Sequence, residues 1–300
     1  MRYYKEQNIH IAFKKILDDL WNDPDYIAAP REMEVREIRD CSIEIKNPMK
    51  NIYTHPIRSS PLKYIAAEIL FYFSGTNNPG FIENYASLWK KIHNPNGTVN
   101  SSYGNLIFKE KNEYDVTQYN WVIESLKRDK DSRQAFMHFN KPQHQWFGNK
   151  DQVCTLQSLF HIRDNKLHMT LTMRSNDVIY GFMTDWAFFS VLQYHVYLHM
   201  KQYYPELEMG SYTHISHSMH LYERHYDLVE KMVGSNYINK DSFIADELPL
   251  LSEPVIDETG RPHDKYPFLG MIMKGEKPNF NAVYYTDNPL IDWCIEKLKE

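Results

Sequence analysis

Residues 171–189 read LTMRSNDVIYGFMTDWAFF, and this stretch decides the fold because it joins a strand to a long helix. Apolar and polar residues alternate over residues 166–174, which predicts a strand with one buried face. From Thr184, interpreted as the N-cap, apolar residues recur at helical spacing to about residue 204. Arg174 places a charged side chain at the end of the strand, and Asp185 places one at the start of the helix. Charged residues at these two points are unusual in a segment that is otherwise largely apolar.

The pattern on either side of this stretch predicts a protein of the α+β class. Further helices are predicted over residues 9–21, 60–73 with Ser60 as the cap, 79–92, 116–128, 219–232 and from 289 to the end, and strands over 34–46, 134–140, 154–163 and 210–217. No low-complexity linker and no repeat divides the chain. We therefore expect a single α+β domain over residues 1–233, with an extension over residues 234–300 packed on it.

Composition excludes several classes of protein. The chain has 300 residues, with 34 Lys and Arg against 39 Asp and Glu and a formal net charge of −5. Such a balance argues against a surface that binds duplex nucleic acid. No apolar run reaches the roughly 18 to 20 residues of a membrane span, and the first residues lack the apolar core of a secretory signal. We expect a cytoplasmic protein that does not bind a membrane.

The three cysteines are Cys41, Cys154 and Cys294, which lie far apart and form no CxxC pair. Neither a disulfide framework nor a metal site is therefore expected. From spacing alone, each cysteine is either a buried bystander or a reactive thiol. Cys154 stands out because it lies between two segments that carry arginines, DSRQAF (131–136) and MRSND (173–177).

Seven motifs occur in a characteristic order along the chain. They are AAEILFYFSGTNN (66–78), SLWKKI (87–92), NSSYG (100–104), DSR (131–133), QVCT (152–155), MRSND (173–177) and HSMHLY (217–222). In this order they resemble the motifs of the thymidylate synthase family, and RSNDVIYGFMTDWAF is most similar to the pattern of the deoxycytidylate hydroxymethylases of bacteriophages within it. The resemblance implies a mixed β-sheet flanked by helices, a homodimer formed through a face of the sheet, and 5,10-methylenetetrahydrofolate as the cofactor.

The resemblance also implies the catalytic residues. Cys154 matches the nucleophile, Glu68 the catalytic glutamate and Tyr103 the active-site tyrosine, while Thr155 replaces the histidine that follows the nucleophile in the synthases. Carbon 5 of a pyrimidine is a poor nucleophile, so a thiolate that first adds at carbon 6 suits this chemistry. A partly desolvated carboxyl such as that of Glu68 can move protons through water.

The same motifs imply the binding residues. The resemblance implies a pyrimidine nucleoside monophosphate as the ligand, and guanidinium groups match the oxygens of its phosphate. The phosphate residues are Arg31, Arg133, Arg174 and Ser175, with Arg133 donated across the dimer interface. The ribose residues are His220 and Tyr222, and the residues on the folate side are Arg58, Trp89 and Asp177.

The substrate assignment depends on Asp185. At this position the synthases carry an asparagine, whose amide both donates to O4 and accepts from N3–H of uracil. An ionised carboxylate cannot donate, but it can accept from the 4-amino group of cytosine and stabilise a proton on N3. We therefore expect Asp185 to bind the base and take part in catalysis, in hydroxymethylation of carbon 5 of dCMP. Compensation of the helix dipole is the alternative role.

Two other functions stay open at this point. A thymidylate synthase or hydroxymethylase specific for dUMP would need Asp185 to be protonated or displaced. A non-catalytic relic of the fold would bind a nucleotide or RNA without converting it. The retention of Cys154, Glu68 and three of the family's arginines argues against a relic.

Overall fold

The computed structural model describes residues 1–235 and 247–299. The helices are α1 (Ile9–Asn22), α2 (Leu62–Ser74), α3 (Tyr103–Phe108), α4 (Gln118–Arg128), α5 (Phe182–Tyr203), α6 (Tyr226–Val233), α7 (Pro267–Met273) and α8 (Pro289–Leu298). The strands are β1 (Arg2–Glu6), β2 (Tyr26–Ala28), β3 (Val35–Ile45), β4 (Phe136–His138), β5 (Thr155–Arg163), β6 (Lys166–Met173), β7 (Asn176–Asp177) and β8 (Glu208–Tyr222). This mixed sheet with flanking helices confirms the predicted α+β class.

The chain divides into two compact units. The first comprises residues 1–60, 168–193 and 209–248, and the second comprises residues 61–167, 194–208 and 249–300. The predicted domain boundary at residue 234 and the use of a sheet face for dimerisation stay predictions, and residues 236–246 of the predicted extension lie outside the described residues. No helix in the described part of the chain is both long and apolar enough to cross a membrane.

The first unit is built on a mixed sheet. Its strands follow the order β1-β3-β8-β6, with β1 parallel to β3, β3 antiparallel to β8, and the short β7 parallel to β8. Helix α1 buries Phe13 and Ile16 from solvent because its apolar residues recur at helical spacing. The start of α5 places Trp186 against Tyr212 of β8, with the two ring centroids 4.2 Å apart.

The second unit surrounds helix α2 with α3, α7 and α8. Every residue of α2 from position 65 onward is buried, which explains why this helix is apolar on almost all sides. Gly104 of α3 permits the closest of these contacts. A Cβ added at Gly104 would lie 1.8 Å from the carbonyl oxygen of Tyr72, so only glycine lets α3 approach α2 this closely.

Most predicted elements are present, within one to three residues at their ends, and four predictions are wrong. Helix α2 begins at Leu62 and Ser60 does not cap it; its hydroxyl accepts from the backbone of Tyr53 instead. Helix α5 begins before Thr184, whose hydroxyl donates back to the carbonyl of Gly181. Residues 79–92 form two short 3-10 turns. Residues 219–222 complete β8, so the helix predicted to begin there starts only at Tyr226.

Candidate active site

In the first unit, the pairing of β7 with β8 brings two predicted site residues side by side. Asp177 lies opposite His220 in the register of these parallel strands. The ring nitrogen Nδ1 of His220 is 3.2 Å from the carbonyl oxygen of Ser218. Because a carbonyl can only accept, Nδ1 carries a hydrogen, and in the neutral ring Nε2 is then the acceptor nitrogen. His220 is therefore prepared to accept a hydrogen bond from a hydroxyl group.

Tyr222 follows His220 on the same strand and contacts the predicted phosphate residue Arg31. Nη2 of Arg31 donates to the Tyr222 hydroxyl at 3.5 Å, and the rings of Tyr222 and His220 meet edge to face at 4.9 Å. Arg31 and Glu32 both have left-handed backbone angles, with φ of 54° and 62°. Such angles are strained for residues with a side chain and persist where the fold needs them. The loop thus presents an exposed guanidinium beside Tyr222, one of the two predicted ribose-binding residues.

Asp185 is held by a second polar side chain of the first unit. Nδ2 of Asn176 donates to Oδ2 of Asp185 at 2.7 Å. Burial raises the pKa of Asp185 to about 7, and the hydrogen bond from Asn176 acts in the opposite direction. A Cβ at Gly181 would lie 3.0 Å from Nδ2 and 3.3 Å from Oδ2, so glycine leaves room for this pair. A carboxyl in this state can both accept and donate near neutral pH.

Three further predicted site residues of the first unit precede Asp185 in the sequence and differ in their surroundings. They are Arg174, Ser175 and Asp177. Arg174 and Ser175 are half-buried between β6 and β7. Oδ1 of Asp177 accepts from the backbone N–H of Ile179 at 2.8 Å, and Oδ2 accepts from Arg224 at 3.4 Å. The Asp177 carboxylate therefore shapes the turn before α5 and also pairs with a cation.

Arg58 lines a cavity of about 210 Å³ together with Tyr180, Arg224 and His225. The guanidinium carbons of Arg58 and Arg224 lie 5.6 and 5.5 Å from the ring centroid of Tyr180, which is 56% exposed. Nε of Arg58 is buried and has no hydrogen-bond partner among residues 1–235 and 247–299. The cavity thus offers cationic donors beside an exposed aromatic ring.

In the second unit, α2 presents Glu68 between two tyrosines. The hydroxyls of Tyr64 and Tyr72 donate to Oε1 of Glu68 at 2.8 and 3.3 Å. Nε1 of Trp89 in turn donates to the Tyr64 hydroxyl at 3.0 Å. Glu68 itself is only 6% exposed. Helix α2 therefore brings the predicted catalytic glutamate and the predicted folate-side tryptophan into one hydrogen-bonded group.

The same unit connects Tyr103 with the segment of the predicted nucleophile. The rings of Tyr72 and Tyr103 lie 5.3 Å apart, and the hydroxyl of Thr155 bonds to that of Tyr103 at 2.8 Å. Thr155 opens β5 and directly follows Cys154. Thr155, which stands where the thymidylate synthases that the chain resembles have histidine, thus bonds to the predicted active-site tyrosine.

Cys154 differs from the other two cysteines in exposure. Its side chain is half-buried, and its Sγ lies 3.8 Å from the carbonyl oxygen of Gln152. Cys41 and Cys294 are buried, and burial raises the pKa of Cys41 to about 12 and that of Cys294 well above its usual value. These two thiols stay protonated, so Cys154 is the cysteine suited to a reaction with a ligand.

Arg133, in the second unit, is exposed. It lines a cavity of about 620 Å³ with Trp121, Glu124, Arg128 and Asp131 among others. An exposed arginine in such a cavity is available to a second molecule, and its donation across a dimer interface stays a prediction.

Four residues that bond to predicted site residues were not predicted from the sequence. They are Tyr64, Tyr72, Asn176 and Arg224. The two tyrosines lie four positions before and after Glu68, a spacing that puts all three side chains on one face of a helix. That spacing was a usable signal, whereas the contacts of Asn176 and Arg224 depend on how α5 and β8 are arranged.

Comparison with known proteins identifies the family. The family model described as thymidylate synthase matches residues 32–241. The chain belongs to the thymidylate synthase family. Enzymes of this family transfer a one-carbon unit from 5,10-methylenetetrahydrofolate.

Among curated family members, the chain is 32% identical to the deoxycytidylate 5-hydroxymethyltransferase of Enterobacteria phage T4 over 52% of this chain and 66% of that protein. It is 28% identical to the deoxyuridylate hydroxymethyltransferase of Bacillus phage SP01 over 76% of this chain and 62% of that protein. The chain thus spans slightly less than two thirds of these relatives. Thymidylate synthase A of Bacillus subtilis shares the fold, with a TM-score of 0.60 and 19% identity over 76% of this chain and 85% of that one.

The family's folate cofactor fits the residues present. Folate joins flat aromatic rings to a glutamate, so a site for it needs an aromatic surface and donors for carboxylates. The cavity beside Arg58 offers both: Tyr180 supplies the aromatic surface, and the buried Nε of Arg58, which has no partner in the described part of the chain, is a donor that can bind a carboxylate. Arg58 would hold a carboxylate and Asp177, in the same unit, would contact the rings; the folate-side role of Trp89 stays a prediction.

Proposed function

We propose that this member of the thymidylate synthase family hydroxymethylates carbon 5 of dCMP. The observation that carries the proposal is Asp185, a carboxyl at the position where the synthases of the family carry asparagine. Nδ2 of Asn176 donates to Oδ2 of Asp185 and holds the carboxyl group in one orientation. In its ionised form, the carboxylate can accept from the 4-amino group of cytosine and stabilise a proton on N3.

In the proposed reaction, the thiolate of Cys154 adds to carbon 6 of the pyrimidine and makes carbon 5 nucleophilic. Methylenetetrahydrofolate supplies the one-carbon unit that becomes attached to carbon 5. Glu68 accepts and returns protons, including one from the water whose hydroxyl group ends on the new carbon. The balance is dCMP, methylenetetrahydrofolate and water giving 5-hydroxymethyl-dCMP and tetrahydrofolate, with Cys154 released unchanged.

The nucleotide is held by groups that the first unit supplies. Nε2 of His220 accepts from the ribose 3′-hydroxyl, and Tyr222 lies beside it. Arg31, Arg174 and Ser175 bind the phosphate, and guanidinium groups fix its position because they bond two oxygens at once. In a homodimer, Arg133 of each subunit would complete the phosphate site of the other.

The second candidate is hydroxymethylation of dUMP, and the raised pKa of Asp185 favours it. A protonated carboxyl can donate to O4 and accept from N3–H, as asparagine does. The similarity to the deoxyuridylate hydroxymethyltransferase of phage SP01 supports the same alternative.

The experiment that tests the proposal uses dCMP and dUMP labelled with tritium at carbon 5. Each is incubated with the protein, with and without methylenetetrahydrofolate, and tritium release and the product are measured. We expect release and 5-hydroxymethyl-dCMP with dCMP and the cofactor. If only dUMP is converted, a hydroxymethylated product would assign the second candidate and a methylated product would assign a synthase. No tritium release from either nucleotide would refute both candidates.

A further inference from the structure

The hydrogen bonds around Glu68 have a fixed direction. An indole nitrogen can only donate, so the Tyr64 hydroxyl is the acceptor in its bond with Trp89. A phenol has a single hydrogen, and that of Tyr64 points to Oε1 of Glu68, which it reaches at 2.8 Å. The order of donation is therefore Trp89 to Tyr64 to Glu68.

Tyr72 adds a second donor to the same oxygen from the next turn of α2. Its hydroxyl is 3.3 Å from Oε1, a longer bond than that of Tyr64. Positions 64, 68 and 72 repeat every four residues, so one face of the helix carries all three side chains. Two phenol donors on one carboxylate oxygen fix the plane of the carboxyl group.

We propose that Tyr64 and Tyr72 are positioning residues for Glu68. By donating to Oε1, they hold the carboxyl group of Glu68 in one orientation for proton transfer. This inference rests on the proposed function, because it assumes that Glu68 moves protons in the reaction. Tyr64 has the larger part, since its bond is shorter and Trp89 orients it.

The test compares Tyr64→Phe and Tyr72→Phe with the wild type in hydroxymethylation of dCMP. Phenylalanine keeps the ring and removes only the hydroxyl. A hydrogen bond to a charged group has a free energy equivalent to roughly a tenfold change in rate or more. We expect Tyr64→Phe to lower kcat about tenfold, Tyr72→Phe to lower it less, and both to leave the KM for dCMP within about twofold.

The matched control is Tyr204→Phe. Like Tyr64, Tyr204 is a half-buried tyrosine of the second unit, but its hydroxyl donates to the backbone carbonyl of Leu126. This variant should keep wild-type kcat, and all variants should unfold at temperatures close to that of the control.

Three results would overturn the inference. They are a Tyr64→Phe kcat within twofold of the wild type, a rise in KM that matches the loss of kcat, and a fall in unfolding temperature well beyond that of Tyr204→Phe. The proposed function fails differently, since the wild type itself would then form no hydroxymethylated product from dCMP.

Discussion

Asn176 and Asp185 form a hydrogen-bonded pair in which the amide donates to Oδ2 of the carboxyl at 2.7 Å. Asn176 is 3% exposed, and Gly181 packs closely against both side chains. The orientation of the carboxyl is thus set before any base binds. Preorganised polar groups of this kind discriminate between ligands because a mismatched ligand leaves them unpaired.

Asp185→Asn should move substrate preference from dCMP toward dUMP. The amide restores a permanent donor for O4 of uracil and removes the negative charge that stabilises a proton on N3 of cytosine. An unpaired buried polar group costs about 1 to 3 kcal/mol, so the ratio of kcat/KM for the two nucleotides should change at least roughly tenfold. Steady-state kinetics with both nucleotides measure this ratio in the wild type and in the variant. A ratio that does not move would show that Asp185 does not read the base.

The preference of the wild type should depend on pH. The pKa of Asp185 is about 7, so the carboxyl is mostly protonated below pH 7 and mostly ionised above it. Only the protonated form can donate to O4 of uracil, so kcat/KM for dUMP should fall by up to about tenfold per pH unit above pH 7. The ionised carboxylate of Asp185 can still accept a hydrogen bond from the 4-amino group of cytosine.

The ratio of dCMP to dUMP activity should therefore rise from pH 6 to pH 8. Asp185→Asn is the control, since its amide does not titrate and its ratio should stay flat over this range. A wild-type ratio that is equally flat would contradict the role of Asp185 protonation.

Cys154→Ser and Arg133→Ala should each inactivate the enzyme and should restore activity when mixed. If Arg133 acts in the other subunit's site, one of the two sites of a hybrid dimer contains both wild-type residues. Random exchange then recovers up to about a quarter of wild-type activity. Cys41→Ser, which alters a buried thiol, should remain active.

Subunit exchange must be verified independently, for example with differently tagged subunits. No recovery in verified hybrids would exclude donation of Arg133 across the interface. Full activity of Cys154→Ser would exclude covalent catalysis by this cysteine.

Stability should fall in mild acid because buried histidines are held neutral. Nε2 of His195 accepts from the backbone N–H groups of Val255 and Ile256 at 3.0 and 3.2 Å. Burial lowers the pKa of His195 well below its usual value and that of His214 to about 3. As pH falls below about 6.5, the unfolded chain binds these protons first, so folding stability decreases.

Each such histidine makes the free energy of unfolding fall by up to about 1.4 kcal/mol per pH unit of acidification below pH 6.5. Above pH 6.5 the histidines are neutral in both states, and this loss is absent. Urea unfolding at pH 5, 6, 7 and 8 measures this dependence. His195→Gln should reduce the slope between pH 5 and 6.5. A stability that does not change over this range would refute the prediction.

Gly104→Ala should destabilise the second unit strongly. The added methyl group would overlap the Tyr72 carbonyl at 1.8 Å, and backbone cannot move as a flexible side chain can. Overpacking of this kind costs about 1 to 3 kcal/mol or more. Gly270→Ala in α7 is the control, since a Cβ there meets no atom within 4 Å and should leave stability unchanged or slightly higher. Thermal unfolding of both variants tests the contrast.

The sequence by itself determined the elements whose pattern is local and strong. The apolar repeat of α1, the alternation in β6 and the long apolar run of α5 gave nearly the observed bounds. The order of the motifs around Glu68, Cys154 and Asp185 was sufficient to predict the family, because residue identity and spacing are properties of the chain alone.

Only the tertiary structure decided which side chains meet. Residues 219–222 have an apolar pattern that also suits a helix, and pairing with β3 makes them strand. The donor for Asp185 comes from Asn176, nine positions earlier, because β7 adds to β8 and the chain then turns into α5. Hydrogen bonds between distant residues depend on the positions of whole elements, and a local pattern contains no information about those positions.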